Sequence, residues 1–286
     1  MIDLHTHTTA SDGRDSPDAL AARAAAAGVE VLAVTDHDTI AGCAAAEAAC
    51  GKSGIAFVNG IEITAIRDDG DVHVLGYFFD RQAPALLEFL SQQRRRRIDR
   101  IRAIVERLSA QAIHLDAGAI VRPALEDPSQ SAGRPWVARA LVAAGHVKNT
   151  NEAFDRWLTR GKPAYVPRDG APPREVFERI HAAGGLASLA HPVLVRHDDW
   201  IDEFAADGLD AIEAYHSDHD AAATSHYLAV AARLQLAVTG GSDYHGDPAH
   251  GPTAPGDVSL PRAQFDRLAA LAARHASPGT QRLQRP

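Results

Sequence analysis

Ser16-Pro-Asp-Ala-Leu-Ala-Ala-Arg-Ala-Ala-Ala-Ala-Gly28 runs directly into Val29-Glu-Val-Leu-Ala-Val-Thr35, and that into Asp36-His-Asp-Thr39. The first piece has the marks of a helix: Ser16 offers an N-cap oxygen, Pro17 suits the first turn, and Gly28 stops it. The second is a short, apolar, β-branched run of the kind that forms a buried parallel strand. The third is polar and stands where that strand ends. Helix, strand and polar loop in succession are the grammar of a parallel α/β protein.

The unit recurs outward from there. An Ala-rich helix after Asp38 leads to a strand over 55–64, interrupted by Gly60, and to another over 72–79. A helix over 173–183 precedes a strand over 186–190 that ends in His191-Pro192. A strand over 209–215, a further helix and a strand over 236–239 follow, the last ending in Gly240-Gly-Ser-Asp-Tyr-His245. This alternation predicts a parallel β/α barrel, with chemistry at the C-terminal strand ends. Most of the His/Asp/Glu clusters fall there. Residues 84–167 break the rhythm: a long helix to about residue 110 and helical segments near 133–144 and 151–158 predict a helical insert. The expected division is a barrel from 1–83 and 168–286, and an insert over 84–167 that contributes to a substrate pocket. The Pro/Gly-rich tail after Ser277 is expected to fray.

Composition narrows the setting. With 286 residues, 45% hydrophobic and 23% charged, the chain suits a soluble globular protein of one large domain, or one with a small insert. Nothing approaches the roughly 20 apolar residues of a membrane span. The start, Met1-Ile-Asp-Leu-His-Thr-His7, lacks the layout of a signal peptide, so a cytoplasmic enzyme is expected, with no membrane and no obligate protein partner. A net charge of −8 argues against a protein that coats nucleic acid but permits a local basic pocket. Cys43 and Cys50 fall about two helical turns, roughly 10 Å, apart, too far to bridge.

The fifteen histidines matter through their positions. In Asp3-x-His5-x-His7, alternate residues of an extended chain share one face. Imidazoles suit Mn, Fe or Zn, and carboxylates ligate or orient beside them. Asp12 follows in a loop, and His37 stands at a strand end between Asp36 and Asp38. Glu62 lies in an apolar strand, where an unpaired carboxylate is costly. His73 lies between two valines, Pro192 holds His191 extended, and Asp243 and His245 again share a face. Singly, each is explained as a hydrogen-bonded core or surface residue; that explanation fails for nine of them on successive strands.

Together, Asp3-Leu-His-Thr-His7, Thr35-Asp-His-Asp38, Gly60-Ile-Glu62, His191-Pro192 and Gly241-Ser-Asp-Tyr-His245 resemble the ordered motifs of the PHP (polymerase and histidinol phosphatase) family, over nearly the whole chain. The resemblance implies a distorted seven-stranded β/α barrel holding two or three metal ions, Mn first, with Fe or Zn as alternatives. Matched residue by residue, the implied ligands are His5, His7, Asp12, His37, Glu62, His73, His191, Asp243 and His245. Ser11-Asp-Gly13, Ser16-Pro17, Gly133-Arg-Pro135, Gly161-Lys-Pro163 and the insert are similar to one subgroup. Its members remove the 3′-phosphate of nucleoside 3′,5′-bisphosphates, and relatives trim RNA 5′ ends. The implied substrate is then a nucleotide, with short RNA as a second.

A metal cluster suits phosphate ester hydrolysis because it acidifies a bound water, neutralises phosphoryl oxygens and stabilises the leaving alkoxide. Glu62 and Asp243 are the natural groups to gather metals; Asp3 and Asp36 are placed to hold imidazole tautomers. His216 and His245 are candidates to protonate the leaving oxygen, and His216 also to touch substrate. Phosphate needs further cations. Arg134 is the first choice, and Lys162 the second. On a helical wheel Arg94 and Arg97 share the apolar face with Leu90, Ile98, Ile101 and Val105, pointing inward toward a ligand. Arg96, Arg100 and Arg107 form an outer stripe, and Arg95, Asp99, Arg102 and Glu106 an ion-paired side. Gly51-Lys-Ser53 ends like a phosphate loop, but Ala46 occupies the first glycine position; no Gly-x-Ser-x-Gly elbow exists. A metal-dependent 3′-phosphatase of nucleoside 3′,5′-bisphosphates is favoured over a histidinol-phosphate-type phosphatase or a metal-dependent amidohydrolase, and a non-enzymatic PHP module ranks last.

Overall fold

Residues 1–68, 70–127, 130–247 and 251–275 are described in the computed structural model; the tail after Ser277 lies outside them. The barrel starts with β1 (Ile2–Asp3), followed by a loop and α1 (Pro17–Ala26). Ser16 accepts the Ala19 N–H at 3.2 Å, capping α1 as expected. Gly28, at φ +79°, turns the chain toward β2 (Val31–Val34). Then come α2 (Cys43–Lys52), β3 (Ala56–Arg67) and β4 (Gly70–Tyr77). The stretch expected as an insert forms α3 (Pro84–Ser109), α4 (Ala117–Glu126), α5 (Arg134–Ala143) and α6 (Thr150–Ala153), the last continuing into a π turn over Phe154–Leu158. The chain returns through α7 (Pro173–Ala182), β5 (Leu186–Leu189), α8 (Pro192–Val195), a 3₁₀ turn over Asp198–Trp200, and α9 (Ile201–Ala206). It ends with β6 (Ala211–Tyr215), α10 (Ala221–Leu234), β7 (Ala237–Gly240) and α11 (Arg262–His275).

Among the described residues the sheet has seven strands in the order β1 to β7. The ring nearly closes: Leu4 N–H donates to Gly240 O at 3.2 Å and His7 N–H to Tyr244 O at 2.9 Å. The expected seven-stranded barrel is present, but it is not parallel throughout. β4 runs antiparallel to both β3 and β5. A tight hairpin closed by the Arg67–Gly70 pair joins β3 to β4, and a parallel connection would need a crossover of a dozen residues or more. The reversal brings the beginning of β4, Asp71 and His73, to the end of the barrel where other strands finish.

Two cores share α3. Its N-terminal residues Leu86, Phe89 and Leu90 pack with barrel residues such as Ile61, Leu75 and Tyr77. From Ile98 onward the helix packs with Val121, Val137, Leu141 and Leu158 in a second cluster. Cys43 and Cys50 are buried and free. No helix among the described residues is long and apolar enough to cross a membrane.

The wheel of α3 is corrected at Arg100 and Arg94. Arg100 is buried, its Nε donating to Val166 O at 2.9 Å, and Arg107 donates to Tyr165 O. The returning segment after the π turn therefore covers the face expected to meet solvent. Arg97 does turn inward and is buried. Arg94 instead donates to Ala124 O, tying α3 to α4. Arg102 pairs with Asp99 at 3.0 Å, while Arg95 reaches Ser91 and Glu88 rather than Asp99.

Candidate metal centre

The centre is built on chain segments that leave the strands at one end of the barrel. His5 and His7 follow β1, His37 follows β2, His191 follows β5, and Asp243 and His245 follow β7. Glu62 lies within β3 and His73 near the start of β4. Gly241 permits the β7 exit to cross β1: a Cβ there would lie 2.3 Å from His5 N. His191, expected to be extended before Pro192, instead has φ 25° and ψ 61°, and Asp243 has φ 57°; both occupy the left-handed region that side chains disfavour, and such strain persists where surrounding structure holds it.

Glu62 is the hub. Its buried carboxylate lies 3.5 Å from His5 Nε2, 3.3 Å from His7 Nε2, 3.1 Å from His37 Nδ1, 2.6 Å from His73 Nδ1 and 3.1 Å from His191 Nε2. Asp243 Oδ1 stands 3.1 Å from His7 and 3.3 Å from His5, and its Oδ2 3.5 Å from His216. Asp12 meets His245 at 3.3 Å and His7 and His37 at 3.7 Å. All nine residues expected as ligands are thus brought together, and His216 joins them. Their ligand-type atoms fall into groups that lie within 4.8 Å of one another.

The electrostatics call for a cation. Burial opposes a charge on His5, yet Glu213, Asp243 and Glu62 outweigh it and raise its pKa well above the usual value. His7, buried beside Asp243 and Glu62, is pushed up to about 10. Burial likewise opposes charge on Glu62, Asp243 and Asp12, but the surrounding imidazoles hold all three well below the ordinary carboxylate range. His5 Nε2, both His7 nitrogens, His37 Nδ1 and Asp243 Oδ1 are buried without hydrogen-bond partners among the described residues. Buried polar atoms are rarely left so. A set of nitrogen and carboxylate donors without thiolate fits Mn, Fe or Zn.

The carboxylates beside the centre are not those expected. Asp3 accepts from Ser242 N at 2.9 Å, Ser242 Oγ at 2.6 Å and Gly256 N at 2.7 Å. Asp36 accepts from Thr8 N, Thr8 Oγ1 and Ser11 Oγ at 2.7–2.8 Å. Their short side chains hold the loops that carry the histidines, not the imidazoles. The imidazole partner is Glu213 of β6: it takes His5 Nδ1 at 3.0 Å and the backbone N–H of His191 at 2.7 Å.

A cleft opens beside Asp12, His37 and His73, and Asp71, Arg97, Arg134 and Arg168 line its other side. Arg97 pairs with buried Asp38, whose second neighbour is Arg168 at 3.6 Å. Asp71 lies 3.6 Å from both Arg134 and Arg168. Burial opposes the Asp71 charge, but Arg168, His73 and Arg134 keep its pKa below the usual value. Burial pushes Arg168 down to about 9, which leaves it charged at neutral pH. Arg134 is where the sequence reading expects it. Lys162 is not: it is exposed, in a turn with Gly161 at φ +83°. Arg168, in the loop leading back to α7, takes that place, and its position in Pro167-Arg-Asp-Gly170 is an unremarkable sequence signal. Arg94 and His216 are likewise absent from the cleft wall.

A barrel that gathers imidazoles and carboxylates at its mouth, beside an arginine-lined cleft, defines a metal-dependent hydrolase suited to phosphate esters. Residues 3–127 match the PHP domain. The chain is 35% identical over 252 residues to the 5′-3′ exoribonuclease Rnm of Escherichia coli, covering 86% of this chain and 85% of the relative. It is 35% identical over 251 residues to the 3′,5′-nucleoside bisphosphate phosphatase of Chromobacterium violaceum, covering 85% and 87%. The structure of a candidate metal-dependent phosphoesterase from Bifidobacterium adolescentis superposes with a TM-score of 0.84 at 32% identity, covering 94% and 95%. The chain belongs to the PHP family, and it is a metal-dependent phosphoesterase.

Proposed function

We propose that the chain removes the 3′-phosphate from nucleoside 3′,5′-bisphosphates in the cytoplasm, with two or three metal ions, Mn first, held by the nine residues named above. The carrying observation is the cleft: three buried or half-buried arginines stand directly beside Asp12, His37 and His73. A single phosphoryl group needs the metal centre alone, so Arg134 and Arg168 are available for a second phosphate. Bound metals would supply water activation and charge neutralisation. In this reading residues 84–167 serve as a substrate-binding insert on a barrel of 1–83 and 168–286, since Arg97 and Arg134 come from it. The phosphatase relative acts on this substrate class and the Rnm relative on RNA. One bond unites the two: cleaving P–O3′ of a nucleotide anchored by its 5′-phosphate frees phosphate from a bisphosphate and a shortened chain from RNA.

The 5′-phosphate then supplies binding energy remote from the reacting bond. Arg134→Ala should lower kcat/KM on 3′,5′-bisphosphoadenosine by about 1.5–3 kcal/mol, the range of a lost charged hydrogen bond. The same change should leave 3′-AMP, a poor substrate, nearly unaffected. Steady-state turnover of 3′,5′-bisphosphoadenosine, 3′-AMP and 5′-AMP by both proteins is the test. Equal rates on all three, or release of the 5′-phosphate, would leave a metal phosphatase and refute this specificity.

A further inference from the structure

The two nitrogens of His216 differ in character. The backbone N–H of Asp218 donates to Nδ1 at 3.0 Å, so Nδ1 carries the lone pair, and in the neutral ring the proton must sit on Nε2. The side chain is 0% exposed, and Nε2 lies 3.5 Å from Asp243 Oδ2 and, like His5 Nε2, has no hydrogen-bond partner among the described residues. Distance alone groups His216 with His5 and Asp243 as a metal-holding trio; hydrogen-bond direction separates it from them. His5 directs Nδ1 at the Glu213 carboxylate, and His245 directs Nδ1 at the Asp243 carbonyl at 2.9 Å. A carbonyl oxygen can only accept, as can an ionised carboxylate, so in both rings Nδ1 bears the proton and Nε2 keeps the lone pair that a metal requires.

We propose that His216 is a positioning residue, neither a metal ligand nor a substrate contact: the proton that its tautomer places on Nε2 faces Asp243 Oδ2, 3.5 Å away, and would draw that oxygen, leaving Oδ1 for the His5 and His7 side. Oδ1 is the oxygen that lies between His5 and His7, buried and without a hydrogen-bond partner among the described residues. This rests on the metal-centre reading above. It also turns aside both proton-donor candidates that the sequence offers. His245 has the ligand tautomer, and the proton of His216 is directed at a carboxylate.

Nitrogen-15 NMR of the zinc-loaded protein, which is diamagnetic, reads the tautomer directly. The expected result is a proton on Nε2 of His216 and none on Nδ1. A proton on Nδ1 with a metal-shifted Nε2 would make His216 a ligand and overturn the proposal. Metal titration by calorimetry gives an independent readout. His216→Ala should weaken zinc binding by about 10–100-fold, the usual effect of losing an outer partner of a ligand. His216→Gln, which keeps an N–H at the same reach, should restore most of it. Equal loss in both variants would overturn the positioning role. Failure of the unaltered protein to bind zinc or manganese would instead sink the metal centre itself.

Discussion

Single residues show where sequence legibility ends. The nine residues of the motifs converge because each falls on a strand exit or on a strand face that meets it. Glu213 was legible by the argument applied to Glu62, an acid inside an apolar strand, here Ala211-Ile-Glu-Ala-Tyr215. Asp3 and Asp36 drew attention by adjacency in the chain, whereas the partner of an imidazole is decided by which strand lies across the barrel. Glu213→Ala would leave His5 Nδ1 and the His191 N–H buried without their acceptor. Each such group costs about 1–3 kcal/mol, so both stability and metal content should fall. Glu213→Gln, which keeps one acceptor oxygen, should be milder. Urea denaturation with metal analysis checks this; an alanine variant unchanged in both would contradict the role.

At the scale of elements, strand positions were readable from apolar runs and turn residues to within a few residues, but the direction of β4 was not. Periodicity reports which side chains are buried and says nothing of which way a strand runs. The helix α3 carries the converse lesson: its wheel placed Arg97 inside and misplaced Arg100, because a wheel cannot anticipate a loop returning over the outer face. Arg97 and Asp38 form a nearly buried pair, with side chains 8% and 1% exposed. Removing one partner of a buried pair typically costs about 3–5 kcal/mol. Arg97→Ala should fall toward the lower end, since Arg168 remains beside Asp38. Arg95→Ala, an exposed pair on the same helix, should change stability by less than about 0.5 kcal/mol. Chemical denaturation of the two variants side by side makes the comparison, and equal effects would remove Arg97 from the core.

For the molecule as a whole, metal and fold are linked. A cation bound only by the native centre, at a hundred times its dissociation constant, adds about 2.7 kcal/mol of stability. For a chain of this size that corresponds to about 5–10 °C in Tm. Calorimetry of manganese-loaded and chelator-treated protein should show that gap together with loss of phosphoesterase turnover; coincident midpoints would mean the centre holds no ion under those conditions. A different kind of constraint follows from α3, which roots Leu90 in the barrel core, aims Arg97 at Asp38 and lays Ile98 and Ile101 in the second core. One residue inserted between Leu90 and Arg97 would swing everything beyond it by about 100° around the helix axis. Arg97 would then leave Asp38, and the apolar stripe would face the wrong way. Two turns, about seven residues, nearly restore the angle but push the distal half about 10 Å along the axis. This stretch of chain can vary in spelling but not in length.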